Sequence, residues 1–486
     1  MLFNSLQFLF FFTIVVAMYF AIPYRFRWIL LLCASYYFYI SWKPAYIILI
    51  IITTLVTYYA GLGIGSIPTK SKKKAILIIS LFFNLGLLFL FKYYNFFNDS
   101  LRIVFRHYNL FYESPALNVL LPIGISFYTF KNVSYAIDVY RGNKSPEKHV
   151  GHLALYVAFF PQLLAGPIER ATRFLPQLYE KFNFDGQRVT RGLKLMLWGL
   201  FQKMVIADNL APLVDSIYNS PTHHSGIGLS TATLFFAFQI YCDFAGYSDM
   251  AIGAAQVMGF TTMDNFNRPY FSKSIPEFWR RWHISLSTWF RDYLYIPMGG
   301  NRVTIPRWYF NLFIVLLICG LWHGANWTFI VWGGLHGIYL VFSALTREMR
   351  EKIHKAIGLN RVSTLHHYLK GMITFFLVCF AWIFFRANSI SDALYIISHL
   401  LTGWGSLSIQ SFQASSFFGS LKFHLVVGVV SVGILLLIQR VQGDHRFDVW
   451  LSRMPIGLRW AVYYSMVLAI LLFGQFGAKE FIYFQF

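Results

Sequence analysis

Leu321-Trp322-His323-Gly324-Ala325-Asn326 follows directly on the apolar run Asn311 to Gly320. A run of about ten residues makes roughly 15 Å of helix, half of a hydrocarbon core about 30 Å thick. His323 is therefore expected at membrane depth. An ionisable side chain there is costly to keep and is by default a functional candidate. The alternative is a hydrogen-bonded histidine that packs one helix against another.

The rest of the composition agrees with a membrane setting. The chain has 486 residues, of which 57% are hydrophobic, 20% aromatic and only 13% charged. Its mean hydropathy is +0.53, outside the range of soluble domains. The net charge of +21 comes from 41 Lys and Arg against 20 Asp and Glu. These cations cluster in short connections between apolar runs, as the positive-inside rule expects, and nucleic-acid binding is excluded on that ground. Cys33, Cys242, Cys319 and Cys379 lie in or beside apolar segments without paired spacing, so neither a disulfide framework nor a zinc site is indicated. Met1 leads straight into Phe8 to Ile22 with no basic stretch or small-residue cleavage site, which reads as a retained first span.

Basic connections give a topology. Arg25 and Arg27 follow the first span, and Lys70, Lys72, Lys73 and Lys74 follow the third, Ala45 to Ile64. Both connections are assigned to the cytoplasm and the N-terminus to the outside. Trp28 to Ile40 and Ala75 to Phe91 are read as spans two and four. A fifth, Asn118 to Val139, returns to Arg141, Lys144 and Lys148. Near the other end, Arg347, Arg350, Lys352 and Lys355 follow Trp327 to Leu345, and Arg440, Arg446, Arg453 and Arg459 form a second basic connection. Two spans between them, Met372 to Phe385 and His424 to Ile438, and a last one, Trp460 to Phe473, place the C-terminus outside as well.

The stretch from Gly151 to Val303 does not divide into clean spans. Its apolar runs are short and interrupted by Pro161, Pro167, Pro269, Pro276 and Pro297. Irregular backbone at membrane depth is tolerated where it is buried in protein or lines a cavity, so a site is expected here. The chain is read as a single integral membrane domain, with N-terminal spans in 1–150, a central catalytic region in 151–345, and C-terminal spans with an aromatic tail in 346–486.

Within the centre, Glu277 to Tyr293 is the densest polar and aromatic segment. On one continuous helix, Trp279, Trp282, Leu286, Trp289 and Tyr293 would form an aromatic stripe while Arg280, Ser287 and Arg291 project elsewhere. An interfacial amphipathic helix is the plainer reading, but it leaves His283 and the arginine pair unexplained. Two histidines, His283 and His323, near Arg280 and Arg281 suit acyl transfer: a neutral imidazole can take a proton from an attacking hydroxyl, and cations can hold the phosphates of a thioester donor. The absence of a Gly-x-Ser-x-Gly motif argues against a serine-triad hydrolase. His323 and His336 are 13 residues apart with no His-x-x-x-His pair, so no metal is expected.

These residues carry a resemblance. Leu121-Pro122-Ile123-Gly124-Ile125-Ser126-Phe127-Tyr128, Ala165-Gly166-Pro167, Tyr241 to Gly253, Phe278 to Tyr295, Gly299-Gly300-Asn301-Arg302 and Gly320 to Asn326 stand in order along the chain. The chain resembles the bacterial membrane-bound O-acyltransferases, in the branch of the alginate and peptidoglycan O-acetyltransferases. At greater distance it is similar to the D-alanyl transferases of teichoic acid.

The resemblance implies an all-α polytopic fold, a multi-helix funnel with short and re-entrant helices around a central site. It implies that His323 is the catalytic histidine and His283 the second one, with Arg280 and Arg281 toward the donor. Trp322, Asn326, Tyr241, Asp243 and Asp249 would line or brace the cavity, the two aspartates as structural partners for arginine. His336, in Gly334-Leu335-His336-Gly337, also matches a family position, and a packing role is equally open. The donor implied is acetyl-CoA or another acyl thioester, with no bound cofactor.

The last residues, Phe481-Ile482-Tyr483-Phe484-Gln485-Phe486, include four aromatics. They are read either as an interfacial anchor or, by resemblance to the acyl-shuttle motif of some bacterial acylation systems, as a segment whose Tyr483 hydroxyl carries the acyl group. The function expected is O-acylation of an extracytoplasmic polysaccharide from the bacterial inner membrane, completed by a separate periplasmic acyltransferase or esterase of the SGNH type. A transporter or flippase of a carrier-linked substrate is the alternative, although such proteins commonly show broken helices in paired halves and the irregular region here is single.

Overall fold

The computed structural model describes residues 1–112, 114–117, 119–164, 166–356, 363–403, 416–476 and 481–482, with side chains for all of these except 353–355, 363, 364 and 416–421. It is 78% helical, with no strand among the described residues, so the all-α expectation holds. Among the described residues eight helices are long and apolar enough to cross a membrane: Pro44–Ser66, Lys70–His107, Gly226–Met258, Ile305–His323, Trp327–Leu345, Leu365–Arg386, Lys422–Gln442 and Ile456–Phe473. The chain is a multi-pass membrane protein. Leu6–Ala21, with 16 residues, and Arg27–Ile40, with 14, fall short of the roughly 20 residues a full crossing needs.

The helices gather into two compact units, one of residues 1–196 and 250–263, the other of 197–249 and 264–486. In the first unit the Ile125–Arg141 helix packs against Ile47–Ser66 and Lys70–Leu88. It is the element expected as the fifth span, and it starts later than the apolar pattern indicated because Gly124 stands in the left-handed region at φ 76°. A Cβ on Gly124 would lie 2.7 Å from the Leu163 carbonyl oxygen. The helix is polar for a span and buried, and its polar groups find partners inside the unit. Lys131 Nζ donates to the Tyr156 carbonyl at 3.0 Å and to Gln162 Oε1 at 3.1 Å, and Asn132 Nδ2 donates to Asn84 Oδ1 at 3.1 Å.

The centre of the chain differs from the sequence reading in one large element. Gly226–Met258 is a single helix of 33 residues and contains the whole Tyr241 to Gly253 motif. Asp243, Ser248 and Asp249 interrupt its apolar run, yet each is bonded within the second unit, to Lys203, Asn265 and Gln202 respectively. Buried polar groups with partners do not break a membrane helix, and a linear hydropathy pattern cannot register those partners. Around this helix the second unit does contain the short pieces expected of an irregular region, among them Ile275–Arg281 and Ile284–Phe290.

Candidate active site

His323 is the last residue of Ile305–His323, and the chain turns back at once into Trp327–Leu345. Asn326 caps the second helix, its side chain accepting from the Thr328 N–H at 3.0 Å. The two helices cross almost backbone to backbone. A Cβ on Gly320 would stand 2.2 Å from the Phe329 carbonyl oxygen, and one on Gly333 would stand 2.4 Å from that of Leu316. Small residues at such crossings let membrane helices approach closely. Gly324 extends the requirement into the turn, where a Cβ would lie 2.1 Å from the Phe329 ring. The Gly320 to Asn326 motif is thus a close-packed hairpin with an imidazole at its tip.

His283 is placed by a break. Ser274 caps Ile275–Arg281 by accepting from the Glu277 N–H, and Pro276 sits in the first turn. Beyond Trp282 the backbone of His283 enters the left-handed region at φ 41°, and a new helix begins at Ile284. The continuous aromatic stripe expected from Trp279 to Tyr293 is therefore divided at His283. Left-handed backbone on a residue with a Cβ costs about 1–2 kcal/mol, and Asn265 supplies the bonds that hold it.

The Asn265 carbonyl accepts from the Ile284 N–H at 2.9 Å. Its Oδ1 accepts from the Ser285 N–H at 3.3 Å and from Ser285 Oγ at 2.9 Å, and it lies 3.1 Å from His283 Nδ1. Its Nδ2 donates to Ser248 Oγ at 3.0 Å. Because a backbone N–H already points at Oδ1, that atom is an acceptor and His283 Nδ1 carries the proton. His283 Nε2 is buried and has no hydrogen-bond partner among the described residues. Asn265 escaped the sequence reading, since nothing distinguishes it from Asp264 and Asn267 beside it.

The two histidines come together across 40 residues of chain. Their ring centroids are 6.4 Å apart, and Trp322 lies 6.0 Å from His283 and 5.0 Å from His323. His323 is further enclosed by Trp332 at 5.0 Å and Phe385 at 5.4 Å. Both histidines are buried. His336 belongs to a neighbouring aromatic stack, with Phe278 parallel to it at 6.0 Å and Trp332 at 5.0 Å. Phe385 also borders a polar cavity of about 520 Å³ that includes Asp215, Asn219, Asn326, Thr328, Arg386 and Asn388. One ring of the His323 enclosure is thus also a wall of a chamber rich in hydrogen-bonding groups.

A model of the membrane-bound O-acyltransferase family matches residues 149–385, which contain both histidines. The chain is 39% identical over 445 residues to the probable alginate O-acetylase AlgI of Pseudomonas aeruginosa, an alignment covering 90% of this chain and 81% of that one. It is 35% identical over 427 residues to the peptidoglycan O-acetyltransferase of Helicobacter pylori, covering 82% and 79%. The teichoic acid D-alanyltransferase of Bacillus subtilis is 29% identical over 287 residues, covering 56% and 71%. The chain belongs to the membrane-bound O-acyltransferase family. It is an acyltransferase, as the resemblance implied.

In this membrane-bound O-acyltransferase the remaining expected site residues take different positions. Tyr241 is buried among Phe266, Tyr270 and Trp282, and its hydroxyl accepts from Gln439 Nε2 at 2.7 Å, which makes it a brace. Asp243 was expected on an arginine. It pairs with Lys203 at 2.5 Å, and Lys203 also holds Asp208 at 2.9 Å, so the partner is a buried lysine in the π-helical segment Phe201–Ala207. Asp249 accepts from Gln202 Nε2 at 2.9 Å and interacts electrostatically with Arg446.

Arg281 is engaged with Glu277 at 3.0 Å and Asp444 at 3.0 Å, whereas Arg280 is exposed and forms no ion pair among the described residues. Tyr483 lies outside the described residues. Just before it, Phe481 and Ile482 are buried within the protein. Phe481 packs on Phe244 at 5.5 Å, Phe244 packs on His283 at 4.6 Å, and the Ile482 N–H donates to Asp243 Oδ2 at 2.7 Å.

Proposed function

We propose that this chain takes an acetyl group from acetyl-CoA at the cytoplasmic face of the bacterial inner membrane. It then passes the group outward for O-acylation of an extracytoplasmic polysaccharide: alginate, another exopolysaccharide or peptidoglycan. The observation that carries this reading is the buried imidazole pair, 6.4 Å between ring centroids, inside the segment shared with the family. Relatives named for alginate and peptidoglycan support a glycan as final acceptor. Reading the basic connections as cytoplasmic puts both termini outside.

The chemistry then runs through residues of the centre, 151–345, and the tail. His323 takes the proton of an attacking hydroxyl as its oxygen bonds to the thioester carbonyl carbon. The carbon–sulfur bond breaks, and the proton leaves with the coenzyme A thiol. His283, fixed by Asn265, offers a second acceptor nitrogen for aligning the donor. Arg280 meets the donor phosphates, a task for which a guanidinium is suited, while Arg281 holds the neighbouring loop through Asp444.

The attacking hydroxyl in this reading is that of Tyr483, supported by the burial of Phe481 and Ile482 one ring away from His283. A phenol has a pKa near 10, so its ester keeps more transfer potential than a sugar ester. A separate periplasmic SGNH-type acyltransferase would receive the group, since a glycan polymer cannot enter a buried site.

Proteoliposomes supplied with acetyl-labelled acetyl-CoA test the proposal. Release of coenzyme A thiol in step with label on protein or glycan is expected. Passage of a carrier-linked substrate with the thioester intact would establish the transporter reading instead.

A further inference from the structure

A cleft of about 480 Å³ opens between the helices Gly226–Met258, Ser363–Arg386 and Ser416–Gln442, and neither His283 nor His323 is among its lining residues. Its lining is mainly apolar, with Phe238, Tyr270, Met372, Phe375 and Leu436. Phe238 lies 5.6 Å from Tyr270 and 6.0 Å from Phe375, which closes the inner end. The flank is open: Met372 is 55% exposed on a helix apolar enough to cross a membrane.

One end of the cleft is cationic, with Lys273 and Arg440 at its mouth beside the His367 ring. The Arg440 guanidinium stands 5.6 Å over the Tyr368 ring, which holds it at this end. Neither Lys273 nor Arg440 forms an ion pair among the described residues. The nearby acids are already engaged: Asp444 with Arg268 and Arg281, Glu277 with Arg281 and the Lys273 backbone N–H.

We propose that this cleft binds one anionic phospholipid, its acyl chain along Phe238, Phe375 and Leu436 and its phosphate on Lys273 and Arg440. An apolar slot open toward lipid selects an acyl chain. Two cations without a carboxylate partner select a phosphate that carries net negative charge over a zwitterionic headgroup, whose ammonium they repel. Basic pockets between membrane helices bind anionic headgroups by the same logic. A free phosphate could satisfy the mouth but not the slot.

Native mass spectrometry of the purified full chain tests the assignment without turnover, so its outcome is independent of the acyl-transfer reading. Titration with phosphatidylglycerol should leave one retained lipid per protein, and phosphatidylcholine of the same chains should be retained at least fivefold less. Lys273→Gln with Arg440→Gln should remove that preference. Gly371→Phe, placed where a Cβ meets no atom closer than 3.9 Å, should fill the slot and lower retention of both lipids. Both changes are at positions without buried partners, and an unchanged elution volume would verify folding. Equal retention of the two lipids by the wild type, or unchanged retention in both variants, overturns the proposal. Displacement of the lipid by inorganic phosphate or coenzyme A at comparable concentration also overturns it, in favour of a soluble phosphate ligand.

Discussion

His283 Nδ1 donates to Oδ1 of Asn265 across 3.1 Å, and the same oxygen binds the first turn of the helix that starts at Ile284. One buried amide thereby fixes both the left-handed backbone of His283 and the proton on its ring. Asn265→Ala should lower stability by about 1–3 kcal/mol, the usual cost of orphaned buried groups, and reduce acyl transfer at least tenfold. Asn265→Asp keeps the acceptor but adds a negative charge, which favours protonated imidazole. The acid limb of the rate against pH should therefore move to higher pH in that variant. An unmoved limb would leave Asn265 a purely structural role.

His323→Ala should slow acyl transfer by about 10²–10⁴-fold, as expected for loss of a general base, with the amount of protein in the membrane unchanged. His336, stacked on Phe278 and bordered by Trp332, should act through packing. His336→Asn is accordingly expected to retain far more turnover than His323→Asn. Comparable losses in the two would place His336 in the chemistry.

Lys203 bridges Asp208 and Asp243 in a buried cluster that also receives the Ile482 N–H. Removing one partner of a buried ion pair typically costs about 3–5 kcal/mol. Lys203→Met should lower the thermal midpoint in detergent and make the C-terminal residues accessible to carboxypeptidase. A midpoint within a degree of wild type would remove the cluster from the set of stabilising contacts.

The arginine pair should separate. Arg280→Gln should raise the apparent acyl-CoA requirement more than it lowers maximal turnover. Arg281→Gln should instead loosen the loop at Asp444. Hydrogen bonds from Arg268 and then Arg281 hold the Asp444 carboxyl below its usual range. A group whose folded pKa is depressed contributes above its unfolded pKa and loses that contribution as pH falls through the folded value. Wild type should thus loosen only below the ordinary carboxylate range, near pH 4 and lower, as read by proteolysis around residue 444. Arg281→Gln should weaken the loop at neutral pH and flatten this dependence.

Tyr483→Phe keeps the ring and removes the nucleophilic oxygen. It should block polymer acylation while leaving Phe481 and Ile482 in place, and mass spectrometry of the wild-type C-terminal peptide should show an acylated tyrosine. Full polymer acylation by the Phe variant would return the tail to an anchoring role.

Much of this was legible in the chain itself. Ordered motifs from Leu121 to Asn326 predicted the family, because they are read along the chain, whereas the ten apolar residues ahead of His323 proved to be part of a longer helix of 19, Ile305–His323. Hydropathy also located most of the long helices. It missed Gly226–Met258 as one helix because Asp243, Ser248 and Asp249 look like interruptions until their partners are known.

What only the tertiary structure decided is which distant groups meet. The periodicity from Trp279 to Tyr293 is satisfied by one helix, yet His283 breaks it, since Asn265, 18 residues away, binds the backbone beyond the break. Lys203 replaces the expected arginine beside Asp243, and the aromatic tail is buried at Phe481 and Ile482, for the same reason. Helix period and hydropathy are local properties of a sequence. A buried charge or imidazole takes its state from neighbours that only the folded chain brings within about 3 Å.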